Sequence, residues 1–149
     1  DLPPGTGDVA ISVAQVLPTA ELLVVTTPDS AASEVASRIG SLARSTEQKI
    51  IGVVENMSWL SLEGGERLEV FGAGGGKRVA SQLSDDQGSE VPLLGQVPLS
   101  PRVREGSDAG EPLTASESSS EAYAAFMTIA EQLAKPRGLA GRKLPLSLA

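Results

Sequence analysis

Three short, nearly uninterrupted apolar runs, at residues 21–27 (ELLVVTT), 49–54 (KIIGVV) and 91–98 (VPLLGQVP), constrain the fold of this chain more than any other feature. A half-exposed strand alternates apolar and polar residues, whereas a continuous run of this length is the pattern of a strand covered on both faces. Helical spacing fills the intervals. After Asp8, an expected helix cap, Val9, Val13, Val16 and Leu17 recur at helical spacing until Pro18 stops them. Asp29 or Ser30 can cap the next helix, whose Ala32, Val35, Ala36, Ile39, Leu42 and Ala43 make one apolar stripe. A third carries Val79, Ala80 and Leu83 on one side. Buried strands alternating with helices predict an α/β fold with a mostly parallel sheet flanked by helices.

Residues 58–70 (SWLSLEGGERLEV) depart from this pattern, alternating on either side of Gly64 and Gly65 as a small β-hairpin would. Residues 84–90 read as a polar loop, and 99–112 as a long loop with one helical turn at most. The last helix has a capping-box pattern, Ser118 with Glu121 three residues on, followed by Ala122, Ala125, Phe126, Ile129 and Leu133, and stops at Pro136. Residues 1–135 are therefore expected to form one domain portion. The segment 136–149 (PRGLAGRKLPLSLA) has no clear period and reads as a flexible tail, with Arg137, Arg142 and Lys143 leaving docking to an acidic partner as the alternative.

Composition removes whole classes of function. A net charge of −7 opposes nonspecific attachment to a nucleic-acid backbone, which Lys and Arg must neutralise. With neither Cys nor His in the chain, thiol and His-based catalysis and the thiolate and imidazole ligands of zinc, copper and haem are excluded. No apolar run approaches the roughly 20 residues needed to cross a bilayer. The lack of disulfides and of a signal-peptide pattern agrees with a cytoplasmic setting. Because the chain does not begin with Met, it is expected to be the later part of a longer protein.

Four local patterns carry chemistry. The opening Asp1-Leu-Pro-Pro-Gly-Thr-Gly-Asp8 sets a carboxylate before a glycine turn. Asp1 could hold Mg²⁺ through water beside a triphosphate, and Gly5 could bring a backbone N–H close to an anion. An ordinary Pro-Gly turn explains the same residues. The glycine cluster 72–76 resembles a phosphate loop but has Phe71 where the first glycine belongs and Arg78 where a hydroxyl belongs, so close packing or a subunit surface fits it better. Asn56 falls where the second strand ends, the edge at which α/β sheets bind ligands, and its amide suits either an adenine edge or a turn. At the third strand end, the backbone of Pro98 and Leu99 could lie against a base, while the charged loop 102–110 reads as solvated with a ligand or partner contact open.

Taken in order, Asp1-Leu-Pro-Pro-Gly-Thr-Gly-Asp8, Val54-Glu55-Asn56-Met57-Ser58, Phe71-Gly72-Ala73-Gly74-Gly75-Gly76, Val97-Pro98-Leu99 and Arg104-Glu105-Gly106-Ser107-Asp108-Ala109-Gly110 resemble the Mrp branch of the MinD/ParA-like P-loop ATPases. Several motifs in the right order are far more specific than any one. The resemblance implies a P-loop α/β fold, a homodimer, ATP with Mg²⁺, and a role in assembling iron–sulfur clusters or carrying them to apoproteins, with apoprotein or cluster-scaffold partners. By position it makes Asp1 the switch carboxylate near Mg²⁺ and the attacking water, and Gly5 the glycine that senses the γ-phosphate. Asn56 becomes the adenine-reading residue, with Pro98 and Leu99 flanking the base.

Two departures qualify the resemblance. The phosphate loop of the family would precede Asp1, so these 149 residues alone are expected to hydrolyse ATP poorly or not at all. Many relatives carry a Cys-x-x-Cys pair in the hairpin region, where this chain has Ser58-Trp59-Leu60-Ser61 and offers no cluster-ligating thiolate. The alternative class is a non-enzymatic partner-binding module, or a MinD/ParA-like switch acting on protein partners without cluster chemistry.

Overall fold

The computed structural model describes residues 7–111, 113 and 118–135, with side chains omitted for four positions in the second helix, Ala32 and Val35 among them. Five helices and two small sheets make up the described fold: α1 (Asp8–Val16), β1 (Leu22–Thr26), α2 (Ala32–Ser45), β2 (Ile50–Glu55), β3 (Leu60–Ser61), β4 (Arg67–Leu68), α3 (Gly75–Gln87), β5 (Leu93–Gln96), α4 (Pro101–Ala109) and α5 (Glu121–Ala134). The three apolar runs are the three strands of a parallel sheet ordered β1-β2-β5. Val24 pairs with Val53 on one side of β2, and Val53 with Leu93 on the other. The excursion 58–70 is the antiparallel hairpin β3-β4, with Leu60 opposite Leu68 and Ser61 opposite Arg67.

Two apolar layers sandwich the central strand. On one side Val24, Ala36, Ala43, Ile50, Val53, Val79, Ala80, Leu83 and Val91 form the larger core under α2 and α3. On the other, Val54, Leu94, Val97 and Ile129 pack under α5 with Ala125 and Leu133 beside them. Helix α5 is also tied to β5 directly, since Gln132 Nε2 donates to Leu94 O at 2.6 Å. The second layer stops short of β1. Leu23 is 38% and Val25 59% exposed, so β1 is covered on one face only among the described residues. This corrects the expectation of a strand covered on both faces, because the continuous apolar run reports what the strand requires and not which neighbours are present.

Other boundaries moved for local reasons. Helix α1 is capped by Gly7 with no side-chain bond, and Asp8 lies one residue inside it. Neither Asp29 nor Ser30 is the cap of α2, although Asp29 Oδ1 accepts from Ala31 N–H at 2.9 Å in the turn before the helix. Helix α3 runs on to Gln87, through the first half of the expected polar loop, because Gln87 has a structural job: its side chain accepts from Ile50 N–H at 2.7 Å and donates to Ile50 O at 3.2 Å. The long loop after residue 99 contains the nine-residue helix α4. Ser100 caps it by accepting from Val103 N–H, Pro101 starts it, and Gly110 at φ +71° ends it. No residue of α4 is buried, so no apolar stripe announced it. The N-cap of α5 is Ser120, accepting from Tyr123 N–H at 3.1 Å; the expected Ser118 capping box is not formed, because Glu121 is engaged elsewhere. Phe126 also departs from the expected buried stripe and is 44% exposed.

Candidate functional site

The parallel strands point their carboxyl ends at one edge of the sheet, where open α/β folds bind ligands. Strand β2 runs out at Glu55 and the chain turns through Asn56, Met57 and Ser58. Asn56 N–H donates to Thr26 O at the end of β1 (2.7 Å), and Asn56 Oδ1 accepts from Met57 N–H (2.9 Å). Met57 sits at φ +58°, a left-handed conformation uncommon for a residue with a side chain. Asn56 therefore does form a turn. Fixing its carbonyl also fixes the direction of its amide nitrogen, the group able to donate to a base.

The other flank of the turn is held by the segment running from the end of β5 toward α4. Val97 N–H donates to Glu55 O (2.8 Å), Ser58 N–H to Val97 O (3.0 Å) and Leu99 N–H to Trp59 O (2.7 Å), so residues 97–99 run beside residues 55–59. This brings Asn56, Pro98 and Leu99 into adjacent segments. Asp1 and Gly5 lie outside the described residues, as does the tail 136–149.

The glycine cluster opens α3 and packs against both strand ends. A Cβ at Gly75 would stand 2.4 Å from Thr27 O and 2.6 Å from Pro28 O; one at Gly76 would stand 2.7 Å from Glu55 Cβ. Close packing is thus the role these two glycines fill. The N-terminus of α3, which in a phosphate loop would face a triphosphate, is taken by the protein's own Glu55: Gly76 N–H donates to Glu55 Oε2 at 2.6 Å. Glu55 is 1% exposed and was not singled out from the sequence. An acidic residue closing an otherwise apolar run, Ile50 to Glu55, was the available signal. The loop region 102–110 folds as α4, where Arg104 pairs with Asp108 (3.1 Å) and Glu105 (3.5 Å) in the open.

A second cluster fastens the hairpin to α5. The Glu121 carboxylate accepts from Ser61 Oγ, Trp59 Nε1 (3.1 Å) and Arg67 (3.1 Å), and the Arg67 guanidinium lies 4.0 Å from the Trp59 ring centroid. The hydrogen bonds from Ser61, then Trp59 and Arg67, hold the Glu121 pKa down at about 2, against 4.5 for a free carboxyl. A depressed carboxyl pKa contributes stability that is fully present above the unfolded value and is lost as pH falls toward the folded value. The fastening should therefore weaken between about pH 4.5 and about pH 2. Trp59 is the only tryptophan, so its fluorescence reads the event directly. Glu121→Gln should give the low-pH emission already at neutral pH and flatten the transition; an unaltered Trp59 titration would refute the assignment. Since Glu121 is about half exposed, the expected stability change is small.

Comparison with known proteins places the chain in a family. A family model described as "ParA: NUBPL iron-transfer P-loop NTPase" matches residues 1–134. The chain is 56% identical over 147 residues to an "Iron-sulfur cluster carrier protein" of Mycobacterium tuberculosis, covering 98% of this chain and 39% of that protein. A protein of the same description from Saccharolobus solfataricus is 39% identical over 137 residues, covering 91% of this chain and 44% of the relative. Among solved structures, a nucleotide-binding protein from Archaeoglobus fulgidus in complex with ADP superposes with a TM-score of 0.62 at 28% identity, covering 84% of this chain and 48% of that one. The chain thus spans well under half the length of the curated relatives it matches, and the parallel sheet with its hairpin is part of a P-loop NTPase fold. The match over residues 1–134, joined to that fold, means that the chain belongs to the ParA/NUBPL iron-transfer family of P-loop NTPases.

Proposed function

We propose that this chain is the C-terminal portion of a cytoplasmic, Mg²⁺-dependent ATPase that works as a homodimeric switch in the assembly of iron–sulfur clusters or their transfer to apoproteins. The observation that carries the nucleotide reading is the pairing of the Asn56 turn with residues 97–99 at the carboxyl edge of the sheet. Asn56 reads the adenine and the backbone of Pro98 and Leu99 flanks it. Among the described residues no group of three or more Asp or Glu side chains could hold a metal ion. The family resemblance assigns binding of Mg²⁺ through water to Asp1 and γ-phosphate sensing to Gly5, with the phosphate loop supplied upstream. The bare face of β1, Leu23 and Val25, supports further domain structure packing there. Exposed Leu62, Leu68, Val70 and Phe71 on and after the hairpin support a subunit contact on that side.

Cluster cargo is a separate matter. With no cysteine in the chain, thiolate ligation from these residues is ruled out, so a cluster would need ligands from elsewhere in the protein or from a partner. The same absence favours a second reading, an ATP-dependent switch on protein partners without cluster chemistry. In full-length protein, ATP hydrolysis that requires Mg²⁺ and an upstream Gly-Lys-Ser or Gly-Lys-Thr is the expected result; an intact protein that neither binds nor hydrolyses ATP would overturn the proposal. Reconstitution with iron and sulfide separates the two readings: visible thiolate-to-iron charge-transfer absorption supports carriage, and its absence supports the protein-partner switch.

A further inference from the structure

We infer that Glu55 is the positioning residue of the nucleotide site, holding Asn56 in place through the two flanks of its turn. The inference rests on the nucleotide reading above and deepens it. Glu55 is the last residue of β2, and its carboxylate joins three separate segments. Oε2 accepts from Gly76 N–H at 2.6 Å; Oε1 accepts from Ser58 Oγ at 2.8 Å and from Gln96 Nε2 at 2.6 Å. Ser58 Oγ also donates to the Glu55 backbone carbonyl at 3.1 Å. The donors come from the start of α3, the far side of the Asn56 turn and the end of β5.

Burying a carboxylate is costly unless donors surround it, and an apolar side chain would serve a simple core position better. Here every donor belongs to a segment that shapes the carboxyl edge of the sheet. Residue 55 and residue 58 flank Asn56 and the left-handed Met57, and the Glu55–Ser58 contact ties these flanks together. Asn56 Oδ1 on Met57 N–H, Ser58 Oγ on the Glu55 carbonyl and the backbone bonds to Val97 also hold the turn, but among the described hydrogen bonds the Glu55 carboxylate is the group that joins it to both α3 and β5. Removing the Glu55 carboxylate takes this acceptor from Gly76 N–H and Gln96 Nε2 and leaves Ser58 Oγ the Glu55 carbonyl alone, so the turn loses its tie to α3 and with it the geometry that directs the Asn56 amide.

The test is a double-mutant cycle in the full-length protein, with ADP affinity measured by titration of a fluorescent ADP analogue and hydrolysis measured alongside. Glu55→Ala should weaken ADP binding and raise KM for ATP about 10-fold, with kcat changed less than about 3-fold, the signature of lost uniform binding. Glu55→Gln should recover affinity to within about 3-fold, because its carboxamide keeps an oxygen for Gly76 while the Ser58 hydroxyl and the Gln96 amide can each reverse roles. Glu55→Ala combined with Asn56→Ala should bind no more weakly than Asn56→Ala alone, since contacting residues that act together are not additive. If Glu55→Ala does not fold, as circular dichroism would show, Ser58→Ala takes its place in the cycle with the same expected non-additivity. Additive losses, or unchanged affinity in a folded variant, overturn the inference while leaving nucleotide binding intact. Wild-type protein that binds no ADP overturns the nucleotide reading and this inference with it.

Discussion

Replacing Gly75 by alanine is expected to destabilise the protein by about 3 kcal/mol or more, through overpacking against atoms that cannot step aside. The new Cβ would stand 2.4 Å from Thr27 O and 2.6 Å from both Pro28 C and Pro28 O, all of them backbone. Flexible side-chain ends could rotate away; the junction between β1 and the turn before α2 cannot. Relief requires the start of α3 to withdraw from the strand ends, which also stretches the 2.6 Å bond from Gly76 N–H to Glu55. For a domain of this size the loss corresponds to a fall of roughly 10 °C in Tm. Gly72→Ala is the control. Its site has a left-handed φ of +84° but nothing within 4 Å of a new Cβ, so it should cost about 1 kcal/mol from backbone strain alone. Thermal melts of the two variants check the argument, and equal losses would show that crowding at Gly75 does not carry the cost assigned to it.

Asp1→Ala in the full-length protein should reduce ATP turnover by about 1000-fold or more, since phosphoryl transfer depends almost wholly on positioning and charge stabilisation around Mg²⁺ and the attacking water. Binding of ADP should change little, because the proposed base contacts at Asn56, Pro98 and Leu99 lie on different segments. Steady-state hydrolysis and ADP titration together decide the matter. Near-normal turnover would remove Asp1 from the mechanism, while lost turnover with lost ADP binding would point to a structural role for Asp1.

The two predictions differ in how much the sequence could supply. Asp1 is proposed from the sequence alone, because a carboxylate before Pro-Pro-Gly is a local pattern and stands first in an ordered series of motifs. The demand on Gly75 is not local. Nothing in Phe71-Gly72-Ala73-Gly74-Gly75-Gly76 says that Thr27 and Pro28, far away along the chain, will press on one glycine and Glu55 on the next. The motif therefore read equally as close packing or as a subunit surface. Glu55 is illegible for the same reason: an acidic residue ending an apolar run has no meaning until donors from α3 and β5 are brought to it.

By itself, the sequence determined the three parallel strands, the hairpin between the second and third, the stripe that buries α3 and the place of Asn56 at a strand end. The strands follow from continuous apolar runs and their ends, the hairpin and α3 from periodicity, and both signals are written locally in the chain. Helix α4 escaped because it buries nothing, and the true cap of α5 because Glu121 found a better partner set on the hairpin than in its own first turn. Only the tertiary structure decided that β1 has a bare face among the described residues, that Glu55 fills the N-terminus of α3, and that Asn56 lies beside residues 97–99. Each of these is a contact between distant segments, fixed by how strands and helices close on one another, and hydrogen-bond donors acquire partners only when the fold delivers them.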